Sequence, residues 1–336
     1  MGAERLVIHI GTHKAGSTAL QIFLASNRAA FAEHGIFLPG GGMHPVSGHH
    51  SNIVWHSLRP DLFDPGHGTL DDLVSDLRRA DAGTALISSE EFELLPDRGA
   101  VETFLAPLRA VAGRIDLLLY VRPQFQYAAS AYSEALKHGN VGYFDDFFAQ
   151  AICWNRLDYG GYFDKWLGHA DTHLTVRPMT RDLRQRGIGA DLLDLLAIGD
   201  ATDRFDPGPR RNVALGPEVV YALLYAKFRA AYRGPALDRD ICAAIRRQVT
   251  GLVPTPRRFS ALTPAQVARC ERLHRAGNAA FTARHGLPDW QTLFGQDIAT
   301  AGEAQATDVP RALQGQIEAI VDRLMASTAP PLERTG

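Results

Sequence analysis

Three groups of residues in this chain could do chemistry. The first is "HIGTHKAGST", His9 to Thr18, where Gly11 and Gly16 have the spacing of a nucleotide-triphosphate loop and Ser17 and Thr18 follow. Its lysine, Lys14, stands two residues before Gly16, whereas a loop for the β- and γ-phosphates of ATP places it directly after the second glycine. A lysine inside the loop cannot replace one at the helix start, so Lys14 should serve a shorter anionic group. The second group is "YVRPQFQYAASAYSEALKHG", in which Ser130 follows Arg122 by eight residues. A guanidinium and a hydroxyl at that spacing can converge on one phosphate. The third is "SSEEFE", whose Glu90 and Glu91 are candidate general bases, together with His44, His49, His50 and His56 in a glycine-rich stretch.

These residues need elements that bring them to one edge. Leu6 to Ile10, Thr84 to Ser88, Ile115 to Val121 and, more weakly, His173 to Arg177 are apolar runs that predict strands covered on both faces. Helical spacing follows the first run, through Leu20, Phe23, Leu24 and Phe31 to a stop at Gly35. It also follows the third run, from about Tyr127 to His138, with Ser130 early in that helix. Alternating strands and helices predict an α/β fold with a central parallel sheet flanked by helices and ligands at the strands' carboxyl ends, where the first two groups and the glutamates fall. A strand, glycine loop and helix present backbone N–H groups and the positive end of a helix dipole to an anion.

Residues 39–68, rich in glycine, proline and histidine, predict a long loop or lid that contacts substrate. From Gly216 the chain reads as mostly helical, and Leu313, Ile317, Ile320, Val321 and Leu324 form a stripe expected to pack on its own domain. The expected division is one domain over 1–298 and a C-terminal helix with a flexible tail over 299–336.

Composition narrows the function classes. A length of 336 residues with 46% hydrophobic residues allows a sizeable core. With 35 basic and 37 acidic residues there is no broad footprint for nucleic acid or an anionic membrane, so any anion is bound locally. The cysteines, Cys153, Cys242 and Cys270, are far apart and form no Cys-x-x-Cys pair, which argues against a disulfide framework and fits a reducing cytoplasm. The histidine spacing fits no common zinc pattern, and no metal is expected. No apolar run approaches the roughly 18 residues of a membrane span, so a soluble, cytoplasmic protein is expected.

The stretch "HIGTHKAGSTALQ" resembles the 5′-phosphosulfate-binding loop of the sulfotransferases that use 3′-phosphoadenosine 5′-phosphosulfate, approximately Lys-[Thr/Ser]-Gly-[Ser/Thr]-[Ser/Thr]. The match holds at Lys14, Gly16, Ser17 and Thr18 and departs at Ala15, where the family often has a hydroxyl. Arg122, Ser130 and Tyr132 are similar to that family's 3′-phosphate segment, commonly Arg-Asn-Pro followed by Ser-x-Tyr, although here Pro123 follows Arg122 directly. Weaker similarity to bacterial sulfotransferase-family proteins runs over about residues 5–295. It includes "RRNVALGPEVV", where Arg210, Arg211 and Asn212 match a basic loop that closes on the nucleotide; a solvated arginine pair is the alternative.

The resemblance implies a three-layer P-loop-like fold, 3′-phosphoadenosine 5′-phosphosulfate as co-substrate, no metal, and sulfuryl transfer to a hydroxyl of a carbohydrate or small metabolite. Lys14 would stabilise charge on the bridging oxygen, with Ala15, Gly16, Ser17 and Thr18 cradling the 5′-phosphate. Glu90, Glu91 or a lid histidine such as His49 would be the base, and Glu90 is preferred as the first residue past its strand. The alternatives are a kinase or nucleoside triphosphatase and a nucleotide-binding protein without turnover. The position of Lys14, and the lack of a clear apolar run ending in a magnesium-binding aspartate, count against the kinase.

Overall fold

The apolar runs of the sequence become strands of one sheet. The structure, a computed structural model, describes residues 2–139, 142–208, 215–233, 237–253, 257–303 and 306–328. In chain order its elements are β1 (Ala3–His9), α1 (Ser17–Ser26), α2 (Arg28–Glu33), β2 (Ile36–Phe37), α3 (Asn52–Leu58), α4 (Leu70–Arg79), β3 (Thr84–Ser88), α5 (Arg98–Arg109), β4 (Ala112–Val121) and α6 (Gln124–Lys137). They continue with α7 (Phe144–Ala151), α8 (Tyr159–Tyr162), β5 (Thr172–Pro178), α9 (Arg181–Arg186), α10 (Ile188–Leu195), α11 (Pro217–Arg233), α12 (Arg239–Gly251), α13 (Pro264–Arg284), α14 (Trp290–Thr300) and α15 (Arg311–Thr328).

The sheet is parallel throughout, in the order β2-β3-β1-β4-β5. Central β1 sets Leu6 opposite both Ala85 and Ile115. Side chains alternate along a strand. Val7, Leu86, Leu118 and Tyr120 therefore meet Leu20, Phe23 and Phe31 of α1 and α2 and Leu183 and Leu192 of α9 and α10 on one face. Leu6, Ile8, Ile87, Leu117 and Leu119, all fully buried, go to the other, and α5 packs on β4. Burial on both faces is why these strands read as unbroken apolar runs. The chain leaves β1 towards β2 on one side, whereas β3 and β4 lead towards the opposite edge. The loop after β1 thus lies at a topological switch point, where open α/β sheets bind their ligands.

The chain divides into two compact units. The sheet unit comprises Met1–Pro123, Asp158–Asn212 and Ala276–Gly295. The helical unit comprises Gln124–Leu157, Val213–Arg275 and Gln296–Gly336. Within the helical unit Tyr132, Phe148, Val220, Leu223 and Ile245 form a core. The predicted terminal stripe packs into it through buried Ile317 and Val321, flanked by Leu313, Ile320 and Leu324.

Two local expectations are corrected. The single helix predicted after the first loop is two, because the Asn27 amide interrupts it by donating to the carbonyls of Phe23 and Asp206, each at 2.8 Å. The predicted loop over 39–68 contains α3 and a 3-10 turn at Pro65–His67. Buried Asn52 fastens them, donating to Asp64 O (2.8 Å) and Gly68 O (2.6 Å). The glycines there serve close approach: Gly42 has φ 76°, and a Cβ on it would lie 2.3 Å from Ile53 Cγ1.

Candidate functional site

The loop after β1 first extends the ladder to β4, with Tyr120 N–H donating to Gly11 O (2.9 Å) and Thr12 N–H to Tyr120 O (3.0 Å). It then turns sharply. Lys14 lies in the left-handed region at φ 62° and Gly16, the residue before α1, at φ 90°. Ser17 donates its hydroxyl to Thr12 O at 3.1 Å, which closes the turn. The N–H groups of the first turn of α1, from Ser17 to Ala19, have no intrahelical acceptor and carry the positive end of the dipole. Thr18 is exposed beside them. Ala15 is buried and packs with Leu20, Met179 and Ile188, which explains an apolar residue where the resemblance expects a hydroxyl.

Arg122 follows β4 directly and reaches this loop: its guanidinium donates to Lys14 O at 2.6 Å. Its own carbonyl accepts from the Tyr159 hydroxyl at 2.9 Å. The Arg122 side chain thus reaches the backbone of the loop that carries Lys14, next to the start of α1. Ser130 belongs to the helical unit, where it is the seventh residue of α6 and half-buried. Because α6 begins directly after Pro123, Ser130 lies in its second turn rather than at its N-terminus, and it receives no dipole contribution there. Tyr132 is a buried core residue whose hydroxyl donates to Gly142 O at 3.1 Å. Arg210, Arg211 and Asn212 lie outside the described residues.

The glutamates follow β3 on a 3-10 turn, Glu90–Leu94, which Ser89 caps by accepting from Glu91 N–H at 3.1 Å. The Glu90 carboxylate accepts from the Gln21 amide on α1, so this half-buried group does stand beside the first loop. Glu91 lies 3.5 Å from His13 Nε2. Buried Glu93 accepts from both the His13 N–H (3.2 Å) and Nδ1 (2.6 Å). Burial alone would depress the His13 pKa, but the Glu93 charge, the hydrogen bonds to Glu91 and Glu93 and the Glu90 charge outweigh it and raise it to about 10. Burial likewise opposes ionisation of Glu91, and its bond to His13 outweighs that and holds its pKa below the usual value. The His13 arrangement was not anticipated. Its only trace in the sequence is a histidine next to Lys14 and alternate glutamates after a neighbouring strand.

Two adjacent lid histidines do different work. His50 is buried and structural: its N–H donates to Ser88 O (2.8 Å), and its Nδ1 accepts from Ser88 N–H (3.3 Å). Burial, only partly opposed by hydrogen bonds to backbone, lowers its pKa to about 4. His49 is half-buried, with its ring 5.2 Å from His44 and 5.3 Å from Trp55. Burial lowers its pKa as well, against the pull of Glu90 and Glu91, which leaves a neutral ring near pH 7. Its Nδ1 accepts from Ser51 N–H at 3.4 Å, which assigns the ring hydrogen to Nε2. His56 is exposed on α3. Among the described residues no group of three or more His, Cys, Asp or Glu is arranged to hold a metal ion, and no helix is long and apolar enough to cross a membrane.

At the carboxyl edge of the sheet, then, the anion-attracting start of α1, preceded by the loop of Lys14 that Arg122 contacts, adjoins the Glu90 carboxylate, which accepts from the Gln21 amide. Such an arrangement can hold a phosphate-like anion and accept a proton next to it. Comparison of the chain with protein-family models, with curated proteins and with solved structures gave no match.

Proposed function

We propose that the chain is a sulfotransferase with a P-loop-like fold that moves a sulfuryl group from 3′-phosphoadenosine 5′-phosphosulfate to a hydroxyl of a carbohydrate or small metabolite. The observation that carries this reading is the bond from Arg122 to the Lys14 carbonyl. It ties Arg122, the arginine of the second motif, to the loop of the first at the switch point. The residues suit a short phosphate-borne anion. Ser17 stands where a triphosphatase has its lysine, and its hydroxyl turns inward to Thr12 O, so nothing at that position extends along a triphosphate. This counts against the kinase alternative.

When bound, the donor would supply the sulfuryl group on a phosphate leaving group. Lys14 and the first-turn N–H groups of α1 hold that phosphate and stabilise the charge that grows on it as the bond breaks. Glu90 accepts the acceptor's proton. Of the other candidates, Glu91 is drawn to His13 and the unprotonated nitrogen of His49 is engaged by Ser51 N–H. Transfer of labelled sulfate from the donor to a panel of sugars and phenols tests this. Glu90→Gln should abolish transfer while retaining affinity for 3′,5′-adenosine bisphosphate, and Lys14→Ala should lose both. A wild-type protein that binds the bisphosphate but transfers nothing to any acceptor would point instead to a binding protein without turnover.

A further inference from the structure

We propose that His13 and Glu93 form an ion-paired clamp that positions the Lys14 loop, with His13 a positioning residue that touches no substrate. The inference rests on reading that loop as an anion site. Glu93 is 1% exposed, and a carboxylate so buried needs a countercharge. His13 supplies it and is held through both its backbone N–H and its ring. Glu91 approaches the far ring nitrogen, and Glu90 adds its charge.

The glutamate is itself anchored from behind. Its carbonyl accepts from Lys165 Nζ (2.5 Å) and the Tyr162 hydroxyl (2.8 Å), and Lys165 also bonds Leu95 O at 2.6 Å. Phe92, one residue earlier, is fully buried with its ring 4.9 Å from that of Phe104. The turn that carries Glu93 is therefore a rigid wall.

Lys14 lies between two fixed points. The Thr12–His13 peptide is tied through the His13 N–H to Glu93, and the Lys14 carbonyl is tied to Arg122. Left-handed backbone at a residue with a side chain is unfavourable and persists only where its surroundings impose it. These two ties do so, and they fix the direction in which the lysine leaves the backbone. Gly11 permits the approach, since a Cβ there would lie 3.3 Å from Glu93 Oε2.

Hydrogen exchange on the full chain tests the clamp without reference to any ligand. In His13→Ala, amides of residues 11–17 should gain at least about ten times more in exchange rate than those of residues 3–9, the signature of a local opening added to any loss of global stability. Equal acceleration of the two segments, or none in either, would overturn the proposal. Should that variant fail to fold, His13→Gln with Glu93→Gln keeps a neutral hydrogen-bonded pair. Its residues 11–17 should still exchange faster than wild type, and wild-type exchange there would refute the need for an ion pair. Nitrogen-15 spectra should show the wild-type His13 ring doubly protonated at pH 8, and a neutral ring would contradict the clamp. If wild type does not bind 3′,5′-adenosine bisphosphate, the donor reading fails, while exchange and ring state still decide the clamp.

Discussion

Replacing His13 with alanine should destabilise the fold by several kcal/mol near neutral pH and by progressively less as the pH rises. In the folded chain the carboxylates around His13 outweigh burial and raise its pKa to about 10, from 6.5 when unfolded. A raised folded-state pKa gives stability that is fully present below pH 6.5 and is lost between there and about pH 10. At about 1.4 kcal/mol per pKa unit the contribution is of the order of 5 kcal/mol below pH 6.5 and about 4 kcal/mol at pH 7. Loss of one partner of a buried ion pair independently costs about 3–5 kcal/mol. Within the window the native state holds one proton more than the unfolded state. This group alone should therefore lower wild-type stability by about 1.4 kcal/mol per pH unit. Urea denaturation of wild type and His13→Ala at pH 7, 8 and 9 measures the difference, which should shrink steadily. A constant difference across that range would show that His13 does not carry the charge assigned to it.

Acidification should act through other residues: buried His9 and His50, held down to about 3 and about 4, cannot take up the protons that the unfolded chain accepts, so each withdraws stability below pH 6.5. His50→Asn should lessen the acid sensitivity seen in melts between pH 6.5 and 5. Gly48→Ala should cost about 2–4 kcal/mol, since φ is 73° and the added Cβ would lie 2.5 Å from the Gln21 carbonyl oxygen; denaturant midpoints measure it. Lys14→Gly should keep stability within about 1 kcal/mol, because glycine relieves the left-handed backbone as it adds unfolded-state entropy, yet calorimetry should find no bisphosphate binding.

The sheet was legible because its strands are buried on both faces: Thr84 to Ser88 is the observed β3, residue for residue. The two-residue β2 was not, since two residues show no periodicity. The short helix within residues 39–68 was not legible, because the stretch is rich in glycine, proline and histidine and shows little periodicity. Gly42 and Gly48 are instead close-packed, and His50 continues the pairing at the end of β3. Lys14, Glu90 and Arg122 could be placed from their positions after strands. The pairing of His13 with Glu93 could not, because it joins residues 80 apart and depends on burial that spacing does not encode.

The most direct test of the central claim is thermal stability in 3′,5′-adenosine bisphosphate, compared with ATP and magnesium at the same concentration. A ligand at about 100 times its dissociation constant adds about 2.7 kcal/mol, a clear rise in melting temperature. Stabilisation by the bisphosphate alone, lost in Lys14→Ala, is the predicted result. Stabilisation by ATP with magnesium, and none by the bisphosphate, would contradict the account and make the loop that of a kinase-like enzyme.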